Sequence, residues 1–232
     1  MGTRDNDCTD RVLREISEHS AKLIIGSDEV GFGSWAGPVL TCAVAVPYGW
    51  KPPKGLNDSK KVSANRRSDL YETLREKVPY AYEMAHSDEI DQGGIMAALH
   101  RCYKTCIGKL LQKFPEALVV IDGEVRIPDL EHLNFPKADG IVPAIMAASI
   151  IGKVLHDRFM QKLGEKHPGY GFGIHMGYGT PQHQEAVAKK GPIPGVHRTS
   201  YLPIKKLKDC KDFNEPGIIL EVGDEPDLSN IQ

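Results

Sequence analysis

The sequence predicts an α/β protein in which a mixed sheet is covered by helices. Early apolar, β-branched segments are joined by turns, and later strand segments alternate with helical ones. With 232 residues and 41% hydrophobic residues, the chain is long enough for one domain with a substantial core. We therefore expect an N-terminal extension over residues 1–21, a main domain over 22–208 and a flexible acidic tail over 209–232.

Four segments have the composition of strands. Residues 22–31 form an apolar run that ends in a glycine-rich turn, and residues 37–47 alternate in polarity, so we expect the two to pair as a hairpin. Residues 79–86 indicate a third strand. Residues 117–123 predict a short buried strand that ends in Asp122 and a glycine.

The helical segments are predicted over residues 63–77, 88–113, 142–165 and 181–190. Ser63 is suited to cap the first of them, and Pro143 is suited to the first turn of the long one. The pair Gly93–Gly94 predicts a break in the second. Residues 169–180 are too rich in glycine and aromatic residues for a regular element, so we expect a functional loop there.

Composition argues against a membrane or secreted protein. No apolar run reaches the roughly 18 residues of a membrane-spanning helix, and the polar N-terminus lacks the apolar segment of a secretory signal. The five cysteines form no CxxC pair, which is typical of reduced thiols. We therefore expect a cytoplasmic protein.

Charge is distributed unevenly along the chain. The net charge is −2, but residues 209–232 contain seven acidic residues against one lysine. By contrast, residues 140–208 carry ten Lys and Arg against three acidic residues, and residues 51–67 carry six against one. Two basic stretches are typical of a surface that follows a phosphate backbone, although solvated charged faces are the simpler alternative.

Acidic residues end two of the predicted strands. Asp28 and Glu29 precede a glycine-rich turn, and Asp122 directly precedes Gly123. Neighbouring strand residues point to opposite faces, so Asp28 and Glu29 can share a site only where the strand ends or twists. Carboxylates at buried strand ends favour a hard divalent cation such as Mg²⁺ or Mn²⁺. The alternative is ordinary Asp–Gly turn chemistry.

Seven ordered motifs resemble those of the type 2 ribonucleases H, the ribonuclease HII family. They are GSDEVGFGSWAGPV (26–39), LNDSKK (56–61), VVIDG (119–123), KAD (137–139), AASIIGKVLHD (147–157), GYGFGIHMGYGT (169–180) and HRTSY (197–201). The resemblance spans about residues 22–203. It implies the ribonuclease H-like fold, in which a five-stranded mixed sheet is flanked by helices and followed by a C-terminal helical extension.

The resemblance also implies a metal site. Asp28, Glu29, Asp122 and Asp139 would hold two Mn²⁺ or Mg²⁺ ions, and cleavage would leave 5′-phosphate and 3′-hydroxyl ends. The alternative role of Asp139 is to cap the following helix.

Further residues match family positions around that site. Ser149, Lys153 and Asp157 are four apart on the long predicted helix, so they share a face and are expected beside the metal ligands, although Lys153 and Asp157 could equally be a structural pair. Ser59 and Lys60 lie in a turn before a helix, where a phosphate can bind, although solvated lysines are the simpler interpretation.

The remaining substrate contacts predicted by the resemblance lie in loops. Gly31 and Gly33 leave their backbone free to approach a 2′-hydroxyl, whereas Phe32 replaces the arginine that is usual between them. Tyr178 would stack on the sugar at the junction of ribonucleotide and deoxyribonucleotide. Arg198 would either contact phosphate or fix the C-terminal segment.

The predicted substrates are RNA–DNA hybrids and duplex DNA that contains ribonucleotides. We expect a monomer, with no membrane partner and no sliding-clamp partner, because the tail has no clamp-binding pattern. Three alternatives stay open: a type 3-like ribonuclease H limited to longer hybrids, a hybrid-binding protein with impaired catalysis, and a small-molecule α/β enzyme.

Overall fold

The computed structural model describes residues 3–209, with side chains from 9 to 207. Apart from Asp209, the predicted acidic tail over 209–232 lies outside the described residues.

A five-stranded mixed sheet forms the centre of the molecule, with the strand order β3-β2-β1-β4-β5. β1 pairs antiparallel with β2 and parallel with β4, so it is the middle strand. The expected hairpin pair and the five-stranded mixed sheet are therefore confirmed. The strands are β1 (Leu23–Val30), β2 (Val39–Pro47), β3 (Tyr80–Ala85), β4 (Leu118–Asp122) and β5 (Leu133–Phe135).

Eight helices surround this sheet within residues 3–209. They are α1 (Thr3–Glu18), α2 (Ala64–Lys77), α3 (Ser87–Gly93), α4 (Ile95–Leu111), α5 (Pro143–Lys166), α6 (Phe172–His175), α7 (Pro181–Lys190) and α8 (Leu202–Asp209). Two short 3₁₀ turns are formed by Ser59–Lys61 and Ala138–Gly140. None of the helices in this part of the chain is both long and apolar enough to span a membrane.

The predicted helix boundaries have the expected local causes. The Ser63 side chain accepts a hydrogen bond from the backbone N–H of Arg66 and so caps α2. Pro143 occupies the first turn of α5, where its missing N–H costs nothing. Gly94 has φ +81° and separates α3 from α4, as the glycine pair predicted.

Helices cover both faces of the sheet because strand side chains alternate between them. Leu40 and Val44 of β2 pack in the cluster that contains the buried residues of α5. Ala43 and Ala45 of the same strand pack in the cluster that contains Leu99 and other buried residues of α4. The long helix α5 and helix α4 thus sandwich the strands that carry the acidic residues.

One glycine permits an unusually close approach between β1 and α5. A Cβ atom on Gly26 would lie 2.5 Å from the backbone carbonyl carbon of Ala144, in the first turn of α5. No side chain fits that gap without a shift of backbone. The start of α5 is therefore held directly against the middle strand.

The N-terminal extension is packed on the domain. It forms α1, whose Val12 and Ile16 are buried in the same cluster as the residues of α5. Sequence composition alone did not predict this helix.

The C-terminal part has a cluster of its own, which includes Leu163, Phe172, Val187 and Ile204. The segment 169–180, predicted as irregular, contains the four-residue helix α6 and is otherwise without regular structure. Its aromatic residue Phe172 is fully buried and helps to attach the segment to the domain.

Candidate active site

Asp28 and Glu29 end the middle strand and point to opposite sides of it. Glu29 accepts a hydrogen bond from the hydroxyl of Tyr103, on α4, at 2.5 Å. Asp28 lies near Ser149 of α5 and accepts the backbone N–H of Glu29 at 2.8 Å. The alternation of strand side chains predicts this division, and both carboxylates still line one cavity because the strand ends here.

Asp122 and Asp139 lie next to this strand end. β4 runs parallel to β1, so Asp122 ends its strand at the same edge of the sheet. Its Oδ1 accepts the backbone N–H of Asp139 at 3.2 Å. Asp139 is buried within the 3₁₀ turn, and the N-cap of α5 is Val142. The capping alternative for Asp139 was therefore wrong.

The pKa values of these acids indicate electrostatic crowding. Burial raises the pKa of Asp28 well above its usual value, and the nearby charges of Glu29 and Asp122 raise it further. Burial also raises the pKa of Asp122, and it raises that of Asp139 together with the neighbouring charges of Asp122 and Asp58. The ionised carboxylates repel one another, so a cation placed among them would be stabilising.

The chemistry of this donor set fits a hard divalent ion, because all four candidate side chains offer carboxylate oxygens. Among the described residues, however, no three His, Cys, Asp or Glu side chains are already placed to hold one ion together. The Glu29 carboxylate is oriented by Tyr103 through one of its two oxygens. Binding would require the carboxylates to turn toward a common centre.

The turn that contains Ser59 and Lys60 lies against the acidic residues. Asp58 caps it by accepting the backbone N–H of Lys60 at 2.9 Å, and the Ser149 hydroxyl donates to Ser59 Oγ at 2.9 Å. Burial lowers the pKa of the Lys60 ammonium, but the carboxylates including Asp139 outweigh that effect, and its pKa is raised. Lys60 therefore stays charged beside the acidic strand ends.

The predicted pair on α5 is present. Lys153 Nζ lies 2.6 Å from Asp157 Oδ1, and Arg67 Nη2 of α2 lies 4.0 Å from the other oxygen of Asp157. Arg67 also donates to the carbonyl of Ser59 at 2.6 Å. Asp157 is thus a structural partner of two cations, whereas Lys153 also lines the cavity.

These elements enclose a cavity of about 400 Å³. Phe32 and Tyr178 stand at its rim, each with 41% of its surface exposed. Of the residues predicted from sequence, those that line it are Asp28, Glu29, Gly31, Phe32, Gly33, Ser59, Lys60, Ser149, Lys153 and Tyr178. Most of the predicted site is therefore brought together around one opening.

Arg198 is not presented to this opening. It is fully buried, and its guanidinium donates to the carbonyls of Gly31, Phe32 and Gly37 at 2.7–3.1 Å. This geometry favours the second of the two roles that the sequence left open, in which Arg198 fixes the C-terminal segment.

His183 and His197 form a neutral hydrogen-bonded network, the histidine network, which holds the Tyr178 carbonyl. Ile193 donates its N–H to His197 Nδ1 at 2.9 Å, so the proton of His197 is on Nε2, which lies 3.1 Å from His183 Nε2. His183 therefore donates from Nδ1 to the carbonyl of Tyr178 at 3.0 Å. His175 stacks on His183 with ring centroids 4.4 Å apart.

Sequence reasoning missed Tyr103, Arg67 and His156. Tyr103 lies on a helix far from the site in sequence, whereas Arg67 is only eight residues from Ser59. The contacts of both depend on how their helices pack. His156 is fully buried beneath Gly31, where its Nε2 would lie 2.6 Å from an added Cβ. The positive φ and the close histidine both require glycine at position 31.

Comparison with protein families agrees with this geometry. The family model described as Ribonuclease HII matches residues 25–203. The chain belongs to the ribonuclease HII family. It is therefore an endoribonuclease, a hydrolase that acts on RNA–DNA hybrids.

Curated relatives are similar over most of their length. The ribonuclease HII of Paracoccus denitrificans is 40% identical over 194 residues, which cover 83% of this chain and 90% of the relative. That of Thermus thermophilus is 40% identical over 183 residues, covering 78% of this chain and 87% of the relative.

Solved structures share the fold. The Archaeoglobus fulgidus ribonuclease HII, solved in complex with PCNA, is 27% identical and matches with a TM-score of 0.62, covering 77% of this chain and 95% of that one. Bst ribonuclease HIII, solved with Mn²⁺, is 19% identical with a TM-score of 0.66, covering 82% and 70%. This second likeness concerns the fold alone.

Proposed function

We propose that this ribonuclease HII is a divalent-metal-dependent endonuclease that also cuts on the 5′ side of ribonucleotides embedded in duplex DNA. Cleavage leaves 5′-phosphate and 3′-hydroxyl ends. The observation that carries the proposal is the group of acidic residues at the adjacent ends of β1 and β4, next to a cavity with two lysines on its wall.

The family is divalent-metal dependent, and we assign the ligands to Asp28, Glu29, Asp122 and Asp139. When bound, two ions supply a nucleophilic water and neutralise the charge that develops on the departing 3′ oxygen. The carboxylates supply the negative charge that holds the cations. Their raised pKa values support this assignment, because crowded acids gain most from a counter-charge.

Lys60 and Lys153 bind the substrate backbone in this proposal. Both line the cavity, and Lys60 stays protonated because of the surrounding carboxylates. An ammonium group at this place attracts a phosphate and keeps the strand over the acidic residues. Lys153 is also paired with Asp157, which limits the motion of its side chain.

Selection of RNA is assigned to the glycine-rich turn and to Tyr178, which also line the cavity. The 2′-hydroxyl is the group that distinguishes RNA from DNA, and Gly31 and Gly33 both line the cavity, with Gly33 exposed. The exposed ring of Tyr178 offers a flat surface for the neighbouring sugar.

A narrower specificity, limited to longer hybrids as in type 3 enzymes, is the second candidate. The feature that favours it is Phe32, which cannot make the charged phosphate contact of an arginine. Loss of catalysis is disfavoured because all four carboxylates are present. We further propose that the enzyme is a cytoplasmic monomer that works without a clamp.

The deciding experiment compares two 5′-labelled duplexes, one with a single ribonucleotide and one with four, in Mg²⁺ and in Mn²⁺. We expect cleavage of both, with a labelled product whose 3′-hydroxyl end a DNA polymerase extends. Cleavage of the four-ribonucleotide duplex alone would establish the narrower specificity. Absence of cleavage of either duplex in both metals would refute the proposal.

A further inference from the structure

The guanidinium of Arg198 is buried directly behind the turn over residues 31–34, which lies at the rim of the cavity. Its Nη2 donates to the Gly31 carbonyl at 2.7 Å, and its Nη1 donates to the Phe32 carbonyl at 2.8 Å and to the Tyr201 hydroxyl at 3.0 Å. Nε and Nη2 both reach the Gly37 carbonyl at 3.1 Å. Burial of a cation is costly, so these carbonyl dipoles are its compensation.

The contacts with two successive carbonyls fix the direction of two N–H groups. In a trans peptide the C=O and N–H bonds point in opposite directions, and no described peptide bond is cis. Because the carbonyls of Gly31 and Phe32 face Arg198, the N–H groups of Phe32 and Gly33 point away from it. The three residues of the turn line the cavity, whereas Arg198 does not.

Neither N–H group is used inside the described part of the chain. The turn is closed by Ser34, whose N–H donates to the Gly31 carbonyl at 3.2 Å, while no hydrogen bond there has Phe32 N or Gly33 N as its donor. Two adjacent backbone donors of this kind form a concave site for an electron-rich oxygen.

We propose that Arg198 is a positioning residue that confers ribonucleotide selectivity by orienting the N–H groups of Phe32 and Gly33 toward the substrate. It also places behind the turn a positive charge that Phe32 does not supply at its rim. The inference rests on the proposed function, since it assigns selectivity to the same cavity. Lysine cannot replace it, because a single ammonium lacks the planar fork that reaches several carbonyls at once.

The test compares the wild type with Arg198→Lys and Arg198→Gln. Arg158→Lys is the matched control, since Arg158 is exposed and pairs with Glu72 on the surface. Binding is measured by fluorescence anisotropy in EDTA with two duplexes that differ only by one ribonucleotide. Cleavage of the ribonucleotide duplex gives kcat and KM in Mg²⁺, and the rise in Tm caused by Mn²⁺ reports the metal site.

We expect both Arg198 variants to lose about tenfold of their preference for the ribonucleotide duplex over the all-DNA duplex, the upper end of the effect of losing one hydrogen bond. The Mn²⁺-induced rise in Tm should persist, and Arg158→Lys should leave the preference unchanged. Equal loss of binding to both duplexes, or an unchanged preference, would overturn the proposal.

Tyr201→Phe keeps the proposal testable if the Arg198 variants do not fold. The Tyr201 hydroxyl donates to the Phe32 carbonyl at 3.2 Å and accepts from Arg198. Its loss should reduce the preference by about two- to threefold, on the scale of one neutral hydrogen bond, and no reduction would count against the role of Arg198 and Tyr201 in holding the turn. Failure of the proposed function is a separate result, in which the wild type itself does not cleave the ribonucleotide duplex.

Discussion

The acidic residues at the strand ends and the histidine network have pKa values that are shifted in opposite directions. Asp28 and Asp122 are crowded together, and burial raises the pKa values of both, with repulsion from Glu29 raising both further. In the histidine network, burial lowers the pKa of His183 to about 4 and also lowers that of His197. Repulsion between the carboxylates at the strand ends destabilises the fold, and a bound cation would relieve it. The histidines of the network, by contrast, are buried in their neutral form.

The two regions therefore contribute to stability with opposite dependence on pH. A carboxylate with a raised pKa in the folded state contributes stability at low pH, and that contribution is lost as pH rises through the folded pKa. A histidine with a lowered pKa contributes stability above its unfolded value of about 6.5, and that contribution is lost as pH falls toward the folded pKa.

The largest effect should come from removing one charge from the acidic strand ends. Asp28→Asn and Asp122→Asn should each reduce cleavage of an RNA–DNA hybrid by more than about 100-fold. This is more than the roughly 10–100-fold loss expected when a residue that only hydrogen-bonds to a metal ligand is replaced. The melting temperature should not fall, because carboxylate repulsion is relieved. Glu72→Gln, at an exposed carboxylate, is the control. Substantial activity in either site variant would refute the assignment of that residue as a metal ligand.

A fall in pH should destabilise the region around the histidine network before it destabilises the sheet. The Trp35 ring lies 5.8 Å from the His183 ring, whereas Trp50 packs against the core cluster that contains the buried residues of α5. The variant Trp50→Phe therefore keeps only the tryptophan beside the histidine network, and Trp35→Phe keeps only the one beside the sheet. Both probes should give the same urea midpoint at pH 7.5. Below pH 6.5 the Trp35 midpoint should fall first, since each histidine costs about 1.4 kcal/mol per pH unit until its folded pKa is reached. Coincident midpoints at pH 5 would contradict this order.

Phe32→Arg should add to the rim of the cavity the charge that the turn lacks. We expect substrate binding to tighten by about 1–3 kcal/mol, the scale of a hydrogen bond to a charged group. The gain should shrink as salt rises, because phosphate contacts release counterions. Ile174→Arg is the control, since it adds the same charge at a position that is 73% exposed and outside the cavity. Unchanged or weaker binding across a salt series would mean that Phe32 has a stacking or packing role of its own.

Tyr103→Phe should have the smallest effect. The Tyr103 hydroxyl holds one oxygen of Glu29, so its removal should weaken Mn²⁺ binding by up to about tenfold through a less ordered carboxylate. Calorimetric titration with Mn²⁺ measures the change, and Tyr48→Phe at an exposed tyrosine is the control. Tighter Mn²⁺ binding would show instead that Tyr103 competes with the cation for Glu29.

Local sequence patterns predicted most of the sheet and the helices around it. The caps at Ser63 and Pro143 and the break at Gly94 depend on residues that are close in sequence, so they were visible in it. Local pattern did not predict strand β5, because Leu133–Phe135 is only three residues long and resembles a loop.

The site was only partly predictable. Carboxylates at strand ends mark Asp28 and Asp122, since the parallel pairing of β1 and β4 brings the two ends together. The donor to Glu29 and the buried position of Arg198 were not predictable, because each depends on contacts between segments far apart in the chain. Tyr103 is 74 residues from Glu29, and Arg198 is 167 residues from Gly31.

Gly26 bears no functional group, yet the active site depends on it. Because the Ala144 backbone lies where its Cβ would be, any side chain would displace the first turn of α5. Ser149 follows on the same helix and lies near Asp28, so the displacement would reach the acidic strand ends. In a scan of all substitutions selected for activity, position 26 should therefore tolerate change as poorly as the carboxylates themselves.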